Sequence, residues 1–348
     1  MKHLFFLLAP IFFLLAGQAQ GDNFSQEKVK PAEVLINYPL DYKSIKIIDA
    51  RFDTTKIGYV KSGKQFKKIV TEGSLSVALE NHLNNQLKKQ LNESAKQNLL
   101  IIIKKLWLQQ TNTDELDDKK KLRTYASAEG EFGMCTSAFD VYLQKDSFYI
   151  PLLRIDTSLF TLKQLNKHAG YLLGFALQNC INRIGSIEPN KINNRRLLSW
   201  PDIVQYNNKR LAYPRYMNDP LVQGIFFTFK DFLNNKPTIR KFVVQSGKIT
   251  DELYVEQNGE AVLLENFWGF CDGQKNYLHV GLNFFQITKE CNTYELFGSK
   301  LITEKSKQNI GVQALFSGLG TQTSPGITKK NKLNYEPLQL DMETGKVY

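Results

Sequence analysis

Asp49, Arg51 and Asp53 alternate along a stretch that reads as a short strand, so their side chains are expected to share one face. Two carboxylates around an arginine can bind a cation or divide the work of acid and base. No histidine or nucleophile is tied to them, so they also read as a charge cluster where a strand leaves the core. Asp49 and Arg51 stand as candidate ligand-binding residues. His82, His168 and His279 lie outside metal-ligand spacing of one another and of any cysteine, so no metal site is expected. There is no Gly-x-Ser-x-Gly elbow and no phosphate-cradling glycine motif. No catalytic residue and no cofactor is assigned. Enzymatic activity stays open, with a non-catalytic role the expected reading.

Aromatic residues concentrate late in the chain, at Trp268, Phe270, Tyr277, Phe284, Phe285 and Tyr294. Exposed, they would stack on sugar rings or anchor a partner; alternating in a small sheet, they would form its core. Trp268 and Tyr277 are the candidate ligand contacts among them. Of the four cysteines, Cys180 falls on a helical apolar stripe and reads as a buried thiol. Cys271 and Cys291 are expected at one end of an antiparallel sheet, two strand positions apart. At about 4.8 Å per step that is roughly 9–10 Å, against the roughly 7 Å that a disulfide spans between Cα atoms. A Cys271–Cys291 bridge would need the turns to close that gap.

The elements that must position these residues can be read from periodicity. Residues 20–41 read as a loose polar leader. Tyr42 to Phe52 holds a short strand, and Leu75, Leu79, Leu83, Leu87 and Leu91 form one stripe of a helix capped by Ser74. The run Leu99 to Leu108 (LLIIIKKLWL) reads as a central strand. Leu122 to Glu131, Ser137 to Leu143 and Phe148 to Ile155 are expected as antiparallel strands. A second helix follows over Thr161 to Ile184. Together these describe an α+β domain of β-α-β-β-β-α order over residues 42–186.

Residues 187–224 carry Pro189, Pro201, Pro214 and Pro220 and read as a linker, with Ser199–Trp200–Pro201 able to open a short helix. Residues 225–305 read as a smaller antiparallel β-meander domain with one short helix capped by Thr228. Asn258–Gly259 and Asp272–Gly273 are its strongest hairpin signals. Residues 306–348 form a glycine-containing tail, with a terminal strand around the turn Glu343–Thr344–Gly345.

At the other end, Lys2 and His3 precede a short apolar run from Leu4 to Ala16, then the small residues Gly17 and Ala19. That order is a secretory signal peptide over residues 1–19, with cleavage expected after Ala19. Export places the chain in the periplasm, on the outer membrane or outside the cell, and removes it from nucleic acid. No later stretch is long and apolar enough to span a membrane. The formal charge of +11 favours an anionic surface or polysaccharide, or an envelope protein, as partner. No cysteine stands at the signal-peptide exit, Gln18 to Gly21, so a lipid anchor is not expected.

The segments IKIIDARFDTTKIGY, LLIIIKKLWL, GIFFTFKDFLNNKP, WGFCDGQKNYLHVG and LQLDMETGKVY resemble those of an uncharacterised family of exported proteins from Bacteroidota-type Gram-negative bacteria. The first domain more loosely resembles envelope lipoproteins of the YajG and curli-assembly type, which act in assembly or accessory roles. The resemblance implies an envelope location and no known activity. The resulting expectation is a non-catalytic exported envelope protein with a binding or assembly role; the alternatives are a glycan-binding module and an uncatalogued secreted hydrolase.

Overall fold

The computed structural model describes residues 24–63, 65–112, 131–161, 163–187, 192, 195–215, 220–246, 251–280, 283–298, 336–345 and 347. The expected signal peptide, the expected strand at 122–130 and the tail from 306 to 335 lie outside the described residues. What is described is an α+β protein of two lobes, each with its own apolar core.

The first lobe is built on a five-stranded sheet. Strand β2 (Ile45–Asp49) runs parallel to β5 (Gln97–Asn112). Strands β5, β6 (Glu131–Lys145) and β7 (Phe148–Thr161) then form a long antiparallel meander, edged by the two-residue β8 (Leu198–Ser199). Helices α1 (Leu75–Gln86) and α2 (Leu165–Gly185) cover one face, with Leu79, Leu83, Leu173 and Ile181 buried against Leu99, Ile101 and Ile103. Leu100 and Ile102 point the other way, onto Ile203 of α3 (Trp200–Leu211). Burial on both faces explains why the LLIII run is continuous rather than alternating. A bulge between Ile103 and Lys105 then shifts the register by one residue. Past it the core side chains are Leu106 and Leu108, and Lys105 is moved to the opposite face.

Two stretches expected to be irregular are ordered. The leader contributes β1 (Gln26–Lys28), parallel to β4 (Gln65–Val70), which also pairs with β3 (Tyr59–Ser62). Its Val29, Val34, Ile36 and Leu40 are buried in the first core. It runs close along α2 because Gly170 and Gly174 lack side chains: a Cβ there would lie 2.3 Å from Lys30 O and 2.6 Å from Ala32 O. The linker holds α3, a full twelve-residue helix opened by a Ser199–Asp202 capping box with Pro201 in its first turn.

The second lobe carries an antiparallel six-stranded sheet of order β17-β16-β15-β14-β13-β9. Its members are β9 (Gly224–Phe226), β13 (Gly269–Cys271), β14 (Asn276–Val280), β15 (Asn283–Glu290), β16 (Thr293–Gly298) and β17 (Glu336–Gln339). Helix α4 (Phe229–Leu233), with its Thr228–Asp231 capping box, packs Phe232 into the core of this sheet. A separate three-stranded sheet, β10 (Val243–Ser246), β11 (Asp251–Gln257) and β12 (Glu260–Leu263), buries Leu253 and Val255 in a third apolar cluster. Asn258 and Gly259 both adopt positive φ (54° and 83°) in the two-residue turn that joins β11 to β12. Asp272 closes a four-residue loop instead, its Oδ1 accepting from the backbone N–H of Gln274 and of Lys275. The tail thus completes the second sheet, so the lobe is larger than the meander its sequence outlined.

Candidate functional site at the junction of the lobes

The loop from Ala50 to Gly58 leaves β2 and carries its polar side chains to the second lobe. The strand ends at Asp49, so Asp49, Arg51 and Asp53 do not share one face as their alternation suggested. Arg51 instead folds back on Asp49 in a bidentate pair, Nε to Oδ1 and Nη2 to Oδ2 both at 2.8 Å. Its Nη1 donates to Lys56 O at 2.6 Å, which pins the loop. Asp53 turns away from Arg51. Its Oδ1 accepts from Thr55 N and Oγ1, and its Oδ2 pairs with Lys56 Nζ at 2.6 Å.

Lys56 is fully buried, and the second lobe supplies its remaining partners. Glu295 Oε1 lies 2.6 Å and Glu290 Oε2 3.2 Å from its ammonium. Tyr59 donates to Glu295 Oε2 at 2.8 Å, and Lys68 holds Glu290 Oε1 at 2.7 Å. Gln339 of β17 donates to Asp53 Oδ2. Beyond this cluster Lys105 pairs with Asp341. Arg210 of α3 donates to Glu343 at 2.7 Å and to Ala50 O at 3.0 Å, and lies over the Phe52 ring.

Burial pulls the Lys56 ammonium toward its neutral form, but Glu295 and Asp53 outweigh that and hold its pKa above the ordinary value. The two glutamates split. Burial and a hydrogen bond with Glu290 push Glu295 up to about 7. For Glu290, burial acts upward but is overcome by hydrogen bonds with Glu295 and Lys68, which bring it down to about 2. They behave as one pair that shares a proton. Glu295 therefore has the acidity of a general acid, but Lys56, held as an ammonium, is no nucleophile or base. The cavity beside the cluster measures about 30 Å³ and is lined by Arg51, Asp53, Lys105, Trp107, Gln339 and Asp341. A water needs about 10–15 Å³ by that measure, so there is room for roughly two waters.

The candidate aromatic pair is divided between two cores. Trp268 is 9% exposed, 4.6 Å from the Phe232 ring, in the cluster under the six-stranded sheet. Tyr277 stacks on Phe270 at 4.7 Å, against the cluster under β11, and donates to Asp272 Oδ2. The Cys271–Cys291 bridge is absent, and all four cysteines are free thiols. Register explains this. Cys271 lies opposite Asn276, which lies opposite Ile287, and Cys291 is four residues further on. Two strand steps combined with that offset separate the sulfurs' backbones by about 16 Å. The two cysteines therefore do not sit at the same level of the sheet.

Sequence reasoning missed Lys56, Tyr59, Glu290 and Glu295. Their one local signal is an isolated lysine in the otherwise apolar KIGYV segment. No family model matches this chain, and no curated protein matches it. Among solved structures it is similar to the crystal structure of protein XCC0632 from Xanthomonas campestris, of the family DUF330. That likeness has 8% identity and a TM-score of 0.29, and covers 45% of this chain and 92% of that one. At that score it decides nothing about fold or function.

Proposed function

We propose that the chain is an exported, non-catalytic envelope protein with a binding or assembly role, its partner an envelope protein or an anionic surface component. The observation that carries this reading is the junction. Its charged side chains pair with one another across the lobes, around a space for about two waters. Such an arrangement serves to fix two lobes as one platform, not to admit and turn over a substrate. The near-complete burial of Trp268 speaks against sugar stacking on that ring. The test is fractionation of cells expressing the full chain, intact mass of the recovered protein, and labelling with a serine-reactive fluorophosphonate. The expected result is an envelope or medium fraction that begins at Gln20 and takes no label. Cytosolic protein that keeps Met1, or stoichiometric labelling, would overturn it.

A further inference from the structure

The outer edge of the first lobe's sheet is open over most of its length. Strand β8 covers only Phe148 and Tyr149 of β7. Arg195 extends that cover, donating to Pro151 O at 2.7 Å and to Leu152 O. Pro151 itself, and the bulge opposite Val141 and Tyr142, guard the same end. From Leu153 to Thr161 the guards stop. Among the described residues no strand pairs with this run on its outer side, and the run holds neither proline nor lysine. Such an edge presents unpaired backbone N–H and C=O groups and templates a further strand.

The open run is complementary to itself. An antiparallel two-fold contact that uses its whole length is centred on Thr157, which then faces Thr157 of a second copy. In that register Ile155 faces Leu159 of the second copy, and Leu153 faces Thr161. On the other face of the sheet Arg154 meets Phe160 of the second copy, and Asp156 meets Ser158. Ile155 is buried, whereas Leu153 and Leu159 are only half-buried at the margin of the first core. An added strand finishes covering them. The Arg154 side chain is 48% exposed and has long contacts, 3.5 Å to Tyr206 Oη and 3.9 Å to Asp140 and Glu343, so it can lie over a facing phenylalanine ring. Ser158 and Asp156 are exposed, and the hydroxyl of one can donate to the carboxylate of the other. A register shifted toward β8 would drive the second strand into Leu198 and Arg195.

We propose that two copies of this chain pair through β7, antiparallel about Thr157, and join their five-stranded sheets into one. The partner is a second copy because the run supplies both members of each facing pair. The contact lies on the opposite side of the sheet from β2, which leads into the junction of the lobes, so it leaves that junction undisturbed.

The test is sedimentation equilibrium of the full chain, with Ser158→Glu and Ser158→Lys as variants. A dimer is expected for the wild type. Ser158→Glu sets a carboxylate against Asp156 twice in each dimer and should weaken association about tenfold, and Ser158→Lys should strengthen it. Position 158 is exposed, so neither variant disturbs the core. Register is read by a cysteine at the axis, in a Cys291→Ser background treated with oxidised glutathione. Facing residues have Cα atoms about 4.5–5.5 Å apart, within disulfide reach, so Thr157→Cys should give a covalent dimer and Leu153→Cys should not. A wild-type monomer, its edge left for the strand of a different protein, would overturn the proposal. So would a dimer that responds alike to Ser158→Glu and Ser158→Lys, or one that Thr157→Cys fails to cross-link.

Discussion

Replacing Lys56 by Met keeps most of the buried stem and removes the charge that three carboxylates from two lobes share. Each carboxylate retains other partners: Thr55 and Gln339 for Asp53, Lys68 for Glu290 and Tyr59 for Glu295. The replacement therefore leaves a buried excess of negative charge, not three bare ions. Removing one member of a buried ion pair costs about 3–5 kcal/mol, and the remaining partners place this case near the lower bound, about 3 kcal/mol. At about 2–4 °C per kcal/mol for domains of this size, the midpoint of thermal unfolding should fall by roughly 6–12 °C. Urea unfolding followed by circular dichroism should show the loss with an unchanged m-value. Adding Glu295→Gln to Lys56→Met should recover part of the loss, because one uncompensated charge is then gone. A loss below about 1 kcal/mol, or no recovery in the double variant, would refute the claim that the ammonium organises the junction.

The glutamate pair makes stability depend on pH in a defined direction. Glu295, raised from 4.5 to about 7, gives a contribution that is full below about pH 4.5 and is lost as pH rises through about 7. Glu290 is the opposite case: its contribution is present above about pH 4.5 and is lost as pH falls toward about 2. Urea midpoints measured between about pH 5 and pH 8 should thus decline for the wild type and flatten for Glu295→Gln. Thiol titration of the unreduced native chain should find Cys291 reactive, with Cys135, Cys180 and Cys271 responding only after denaturation. Fewer than four thiols in the denatured, unreduced protein would show a bridge. Gly58→Ala should destabilise by about 1–3 kcal/mol, since a Cβ there would sit 1.9 Å from Leu108 O at a φ of 145°. Its urea midpoint, compared with that of the exposed Gly63→Ala, measures the effect.

Legibility in the sequence follows the range of the forces involved. LLIIIKKLWL, the Asn258–Gly259 turn and the Thr228 cap are local patterns, and each folds as read; the leucine stripe is helical only from Leu75 to Gln86, so Leu91 falls outside α1, and Ser74 stands at the N-cap without a side-chain cap hydrogen bond. The same locality explains the misreadings. Alternation placed Asp49, Arg51 and Asp53 on one face, but β2 stops at Asp49 and the loop is then governed by Lys56, whose partner Glu295 lies 239 residues away. The leader reads as loose because its apolar residues are scattered; they become core only against α2, where Gly170 and Gly174 admit the backbone. Likewise Lys289 looks like a surface lysine until register and Arg215 place it on the inner face of the sheet.

The central claim is that the Lys56 cluster and the Arg210–Glu343 and Lys105–Asp341 pairs weld two lobes into one platform. Scanning calorimetry of the full chain tests it most directly. One cooperative transition is expected for the wild type, splitting into two when Lys56→Met is combined with Arg210→Met. Two independent transitions in the wild type would contradict the account.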